Sequence, residues 1–132
     1  MTQPQTDRAI LDTSVIIGPT TVPVPGVVAI SAVTLAELHF GVLVAKTSSV
    51  RAERLRRLSI VQRHFDALPV DDSVASSYGV LAAAVVDIGR QPRRRTMDLL
   101  IAATAHAHAA TLYTRNPDDF AGFENLLAVV AV

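Results

Sequence analysis

Cysteine is absent from the chain, tryptophan is absent too, and lysine occurs once, as Lys46. Without cysteine there is no disulfide, no zinc–thiolate site and no thiol nucleophile. Such a chain suits a reducing compartment. Aromatic residues make up only 5% of it, so any stacking on nucleobases falls to Phe and Tyr. The formal net charge is zero, with 12 basic and 12 acidic residues, and no overall electrostatic grip on a polyanion is expected. Long apolar runs are also missing: none approaches the roughly 20 residues that cross a bilayer. The first eight residues are polar and contain no charged-then-apolar leader. A cytoplasmic protein without a membrane partner is therefore expected.

What the chain does have is apolar bulk, 50% of its 132 residues against 18% charged. That is enough for one globular domain with a single core. We expect a loose tail over residues 1–8 and one domain over residues 9–132. The basic side chains are nearly all arginine and fall in two clusters: Arg51, Arg54, Arg56 and Arg57, then Arg90, Arg93, Arg94 and Arg95. The first cluster reads as the solvated face of a helix. The second ends three residues before Asp98. Arg93, Arg94 and Arg95 are candidate contacts to a phosphate backbone, because the guanidinium fork matches phosphate oxygens.

Strand-like and helix-like segments alternate. Ala9–Leu11, Val27–Ile30, Leu68–Val70, Thr111–Thr114 and Leu126–Val132 read as strands. Thr13–Ile17 is a short helix, and the prolines and glycines of Gly18–Gly26 make a loop. Thr34 to Ala45 and Arg51–Phe65 carry apolar residues at helical spacing. Asp71-Asp72-Ser73 starts a helix that runs to Ile88 and stops at Gly89. Gln91–Arg95 is a loop, and Thr96 to Ala109 is nearly all apolar, hence a buried helix. The alternation predicts an α/β fold, a mostly parallel sheet flanked by helices in α/β/α layers. Ligands of such sheets bind beyond the carboxyl ends of the strands.

Four acids fall at that edge. Asp12 ends the first strand, Glu37 follows the second, Asp98 heads the buried helix and Asp119 follows the Thr111–Thr114 strand. Each has an innocent role available. Thr34-x-x-Glu37 fits a capping box, Asp98 would complement a helix dipole behind a Thr96 cap, Asp12 could cap the Thr13 helix, and Asp118 or Asp119 could hold a turn. Capping does not explain why Asp12 ends a buried strand. One shared site accounts for all four better than four separate caps. Clustered carboxylates repel one another unless a cation neutralises them, and a cage of hard oxygens suits Mg²⁺ or Mn²⁺. His106 and His108 do not make a metal site, since residues two apart on a helix face different ways.

The stretches Leu11-Asp12-Thr13-Ser14, Thr34-Leu35-Ala36-Glu37-Leu38, Asp98-Leu99-Leu100-Ile101-Ala102-Ala103-Thr104-Ala105 and Thr114-Arg115-Asn116-Pro117-Asp118-Asp119-Phe120 resemble the PIN-domain ribonucleases, and among them the VapC toxins of bacterial toxin–antitoxin pairs. The chain differs from that pattern in a longer polar tail and in a short, proline-rich segment after Ser14. The resemblance implies a single PIN-like domain and a metal-dependent endoribonuclease that leaves a 3′-hydroxyl. It implies catalytic acids at Asp12, Glu37, Asp98 and Asp119, with Asp118 the alternative in the last motif. Asp12 and Asp98 are the expected direct ligands of Mg²⁺, or of Mn²⁺. Thr13, Ser14, Thr114 and Asn116 are candidates to orient carboxylates or phosphate. RNA is the expected substrate, Arg93, Arg94 and Arg95 its expected backbone contacts, and a small antitoxin and a second copy of the chain the expected protein partners. Two other classes compete. A catalytically inactive module with this fold could capture RNA or protein, though it would have no use for four carboxylates. A phospho-acceptor receiver domain would need a lysine near its aspartate, and Lys46 lies at the end of a helix.

Overall fold

The computed structural model describes residues 7–18 and 23–132. Five strands, β1 (Arg8–Leu11), β2 (Val27–Ser31), β3 (Ala67–Leu68), β4 (Thr111–Thr114) and β5 (Val129–Ala131), form one sheet in the order β3-β2-β1-β4-β5. Every adjacent pair is parallel. The helices are α1 (Thr13–Ile16), α2 (Ala32–Leu43), α3 (Ser48–His64), α4 (Asp72–Asp87) and α5 (Thr96–Ala107), with 3₁₀ turns at Pro92–Arg95 and Pro117–Phe120. No helix among the described residues is long and apolar enough to cross a membrane. Of the tail expected at residues 1–8, residues 1–6 lie outside the described residues, as do residues 19–22 of the expected loop. Arg8 already belongs to β1.

The uninterrupted apolar run of β1 reflects burial on both faces, as a parallel sheet requires. Successive side chains of a strand point to opposite faces. Ile10 accordingly enters a core with Val74, Leu81, Leu99, Ile101 and Phe123, under α4 and α5. Leu11 enters the other, with Val15, Leu38, Val42, Leu58 and Val61, under α2 and α3.

Several boundaries differ from the sequence expectation, each for a local reason. Helix α2 starts at Ala32, because the Ser31 hydroxyl accepts from the Val33 N–H at 3.1 Å. Thr34 is thus inside the helix and Thr34-x-x-Glu37 is not a capping box. Helix α3 starts at Ser48, capped by Thr47, whose hydroxyl accepts from Val50 N–H at 3.1 Å. The expected start at Arg51 followed the apolar periodicity and passed over this cap. Strand β3 stops at Leu68 rather than Val70, since Pro69 has no N–H to extend a ladder. Strand β5 starts only at Val129, because the N–H groups of Leu126 and Leu127 turn back to the Phe123 carbonyl at 2.8 and 2.9 Å. Within the expected Gln91–Arg95 loop, Pro92–Arg95 coils into a 3₁₀ turn.

Gly26 sets the entry to β2. Its φ of +88° is in the left-handed region, and a β-carbon there would collide with the Asp7 carbonyl. That same carbonyl accepts from Val27 N–H at 2.8 Å. Gly26→Ala should lower stability by more than the roughly 1–2 kcal/mol that the left-handed conformation alone costs an alanine. Urea unfolding measures this. A loss below about 0.5 kcal/mol would mean that the Asp7–Gly26 approach does not constrain the fold.

Candidate active site

Strand β1 pairs with β2 on one side and β4 on the other. The connections run outward from it in both directions, which opens a crevice beyond its carboxyl end. Asp12 stands at that point. Its backbone N–H continues the ladder to Tyr113 O at 2.9 Å, and the residue is only 5% exposed. It occupies the position before α1, but its side chain caps nothing there. Instead Oδ2 accepts from Ser14 Oγ at 2.7 Å and from Thr114 Oγ1 at 2.9 Å. The two hydroxyl oxygens are 3.3 Å apart. Each has one proton, already committed to Asp12, so they pack without bonding. Each hydroxyl accepts in turn from backbone, Ser14 from Arg115 N–H and Thr114 from Asn116 N–H, both at 3.0 Å.

Glu37 lies one turn after Thr34 on α2, so the two share a face. Thr13 Oγ1 donates to Glu37 Oε1 at 2.7 Å and lies 3.1 Å from Thr34 Oγ1. With Thr13's only proton taken, the fully buried Thr34 must donate to Thr13. A relay of hydroxyls thus runs from inside α2, through α1, back to the carboxylate of α2.

Asp98 is the third residue of α5. Its carboxyl is half-buried and pushed up to about 6. Burial is the largest cause, followed by the negative charge of Asp12, Asp119 and Glu37; Arg95 opposes them. Four acids from four segments therefore share one field. Asp119 is carried by the Pro117–Phe120 turn, which buried Phe120 anchors in the core. Its carboxylate accepts from Arg95 Nη1 at 2.6 Å, and the same nitrogen is 3.9 Å from Asp98 Oδ2. Asp118 is exposed.

The remaining candidates divide. Thr13, Ser14 and Thr114 use their side chains on the acids. Asn116 works through its backbone, its carbonyl accepting from Asp119 N–H at 3.1 Å. Arg93 and Arg94 are exposed on the 3₁₀ turn, whereas Arg95 enters the acid cluster. Ser31 escaped the sequence reading, and Thr34 entered it only as a possible helix cap. Ser31 caps α2, and its hydroxyl also meets Thr104 Oγ1 of α5 at 3.2 Å, tying two acid-bearing helices together. Their only trace in the sequence is a hydroxyl at a strand end and another three residues before Glu37. His106 is structural, with Nδ1 2.8 Å from Ser77 Oγ between α5 and α4. Among the described residues no three acids or histidines stand in ready coordinating geometry. The carboxylates rest on Ser14, Thr114, Thr13 and Arg95 instead. Beside Glu37 a hollow of about 450 Å³ opens between α1, α2 and α3, lined by Ile17, Leu38, Phe40 and Val44 with Arg54 and Arg57.

A parallel sheet with acids gathered at its carboxyl edge has known counterparts. The PIN domain family model matches residues 9–125, and the chain belongs to that family. It is 42% identical to Ribonuclease VapC5 of Mycobacterium tuberculosis over 106 residues, which is 80% of this chain and 76% of that protein. It is 36% identical to Ribonuclease VapC8 of the same species over 109 residues, 80% of this chain and 96% of that one. Among solved structures it is similar to VapBC-5 from Mycobacterium tuberculosis, a member of the VapBC family of toxin–antitoxin systems. The TM-score is 0.82 at 39% identity, covering 95% of this chain and 97% of the other. FitAcB from Neisseria gonorrhoeae gives a TM-score of 0.75 at 28% identity, over 92% and 95% of the two chains.

The raised Asp98 carboxyl has a consequence for stability. In the unfolded chain it titrates near the ordinary 3.8, in the folded one near 6. Between those values the folded state holds the extra proton, so stability is greatest below the lower value and falls as pH rises through the higher one. In metal-free buffer the wild type should lose stability relative to Asp98→Asn from about pH 4 to pH 6, then level off. Urea unfolding of both proteins across that range checks it. A difference that does not vary with pH would show that the acids are not crowded.

Proposed function

We propose that residues 9–132 form a divalent-cation-dependent endoribonuclease, the toxin of a toxin–antitoxin pair, which hydrolyses RNA phosphodiester bonds at the carboxyl edge of the sheet. The observation that carries this reading is the gathering of Asp12, Glu37, Asp98 and Asp119, from four segments, within reach of one another's charge. Such a cluster is short of positive charge. Its donors are all carboxylate oxygens, which fits Mg²⁺ and also admits Mn²⁺. When bound, the ion supplies charge neutralisation and makes water acidic enough to attack a phosphodiester near neutral pH.

The chain's own residues do the positioning. Asp12 and Asp98 are the proposed direct ligands. Ser14 and Thr114 fix Asp12 through Oδ2, leaving Oδ1 for the ion. Thr13 steers Glu37, and the turn after β4 presents Asp119; these two complete the cage. Arg93 and Arg94, exposed on the turn that leads into α5, are the proposed contacts to the RNA backbone. The relatives named as ribonucleases and a solved counterpart from the VapBC family of toxin–antitoxin systems support this reading. The apolar hollow beside Glu37, with Arg54 and Arg57 at its rim, suits a segment of an antitoxin. Val80 and Val86, exposed on α4, offer apolar area to a second copy of the chain. The RNA substrate and the absence of cysteine both suit the cytoplasm.

Asp98→Asn should remove ribonuclease activity by at least about a hundredfold, since a lost ligand costs more than a lost orienting partner. The fold should be unchanged, because asparagine keeps volume and hydrogen bonding. The assay is purified protein on total RNA with Mg²⁺. Cutting at the wild-type rate by the folded variant would refute the assignment, and RNA binding without cutting by the wild type would favour a binding module.

Replacing both Arg93 and Arg94 with Gln should flatten the salt dependence of RNA binding. Each phosphate contact on a single strand contributes about 0.7 to the slope, so the expected change is about 1.4. Cleavage-site preference should stay, because backbone contacts position without specifying. Binding titrations at several salt concentrations, on an Asp98→Asn background, measure the slope. An unaltered slope would make these arginines a solvated turn.

A further inference from the structure

Arg95 is the one basic residue of its cluster that turns inward, and what it touches is informative. It ends the Pro92–Arg95 turn, directly before α5. One nitrogen, Nη1, is 2.6 Å from Asp119 Oδ1 and 3.9 Å from Asp98 Oδ2. It therefore joins two acids that come from different segments. We propose that Arg95 is a built-in counter-ion of the acid cluster, which holds Asp119 toward Asp98 when no divalent ion is present and surrenders Asp119 when one binds. The inference rests on the metal-dependent reading above and adds to it a residue that sets how readily the ion is taken up.

Three observations support it. The Arg95 side chain is 37% exposed and that of Asp119 36%, so the pair is partly solvated and worth little in stability. It is a contact that can be exchanged. The guanidinium and a divalent ion on the same carboxylate would stand within a few ångströms of each other, and like charges at that range repel. The two are thus alternatives at Asp119. Finally, one guanidinium faces two carboxylates, Asp119 at 2.6 Å and Asp98 at 3.9 Å, and its single charge cannot neutralise both. A stronger cation keeps a reason to enter.

The rival view is that Arg95 is a fixed clip between the two 3₁₀ turns. Mn²⁺ binding by calorimetry to the metal-free full chain separates the two, with circular dichroism confirming each fold. Arg95→Gln should bind Mn²⁺ roughly fivefold more tightly than wild type, the scale of one partly exposed ion pair. Arg95→Lys, which keeps the charge, should stay within about twofold of wild type. On an Asp119→Asn background the Arg95→Gln gain should shrink, because the contested carboxylate is gone. Unchanged or weaker binding by Arg95→Gln, with the wild type binding normally, would overturn the inference and leave the metal-dependent reading standing. No Mn²⁺ binding by the wild type would overturn both.

Discussion

The end of the central strand buries a carboxylate, and two hydroxyls make that possible. A buried charged oxygen without donors costs several kcal/mol. Asp12 meets two donors on one oxygen, Ser14 from the first turn of α1 and Thr114 from the end of β4. Those hydroxyls are held by the backbone of Arg115 and Asn116. The start of α1, the pairing of β1 with β4 and the path of the chain toward Asp119 are thus tied to a single side chain. Charge-assisted bonds of this length are among the stronger ones a protein makes.

The other acids are positioned from a distance, by packing. Helix α5 has Ala102, Ala103 and Ala105 fully buried beside Ile101. Small side chains let its neighbours pack close against it, and Asp98 stands in its first turn. Thr104 then reaches across to Ser31, so the helix that carries Asp98 and the cap of the helix that carries Glu37 are joined by a buried bond of 3.2 Å. Phe120 does the same service for Asp119 by anchoring its turn in the core. The apolar interior therefore determines the spacing of the charges.

Much of this was legible in the sequence. Alternating apolar segments give strand and helix, and the rule that ligands lie beyond the carboxyl ends of parallel strands brings Asp12, Glu37, Asp98 and Asp119 to one edge. The finer wiring was not legible. A threonine three residues before a glutamate looks the same whether it caps a helix or, as Thr34 does, sits inside one and steadies Thr13. The start of α2 at Ala32 depends on Ser31, whose strand-like surroundings hide its capping role. Arg95 differs from Arg93 and Arg94 only in falling one turn before Asp98, and periodicity cannot say whether such a side chain faces acids or solvent. Ends of β3 and β5 depended on a missing N–H and on a turn back to Phe123, both invisible to apolar pattern.

The bond from Thr114 to Asp12 spans 102 positions of the chain. During synthesis the first acid leaves the ribosome long before the strand that completes its surroundings. Pairing between such distant segments forms late, because the intervening chain must first give up its freedom. Until β4 has docked beside β1, Asp12 has one of its two donors and Asp119 has no fixed place. A nascent or truncated polypeptide that stops short of β4 therefore carries three of the acids without the surroundings that complete the cluster, and a cell making it meets the finished site only after β4 has been translated.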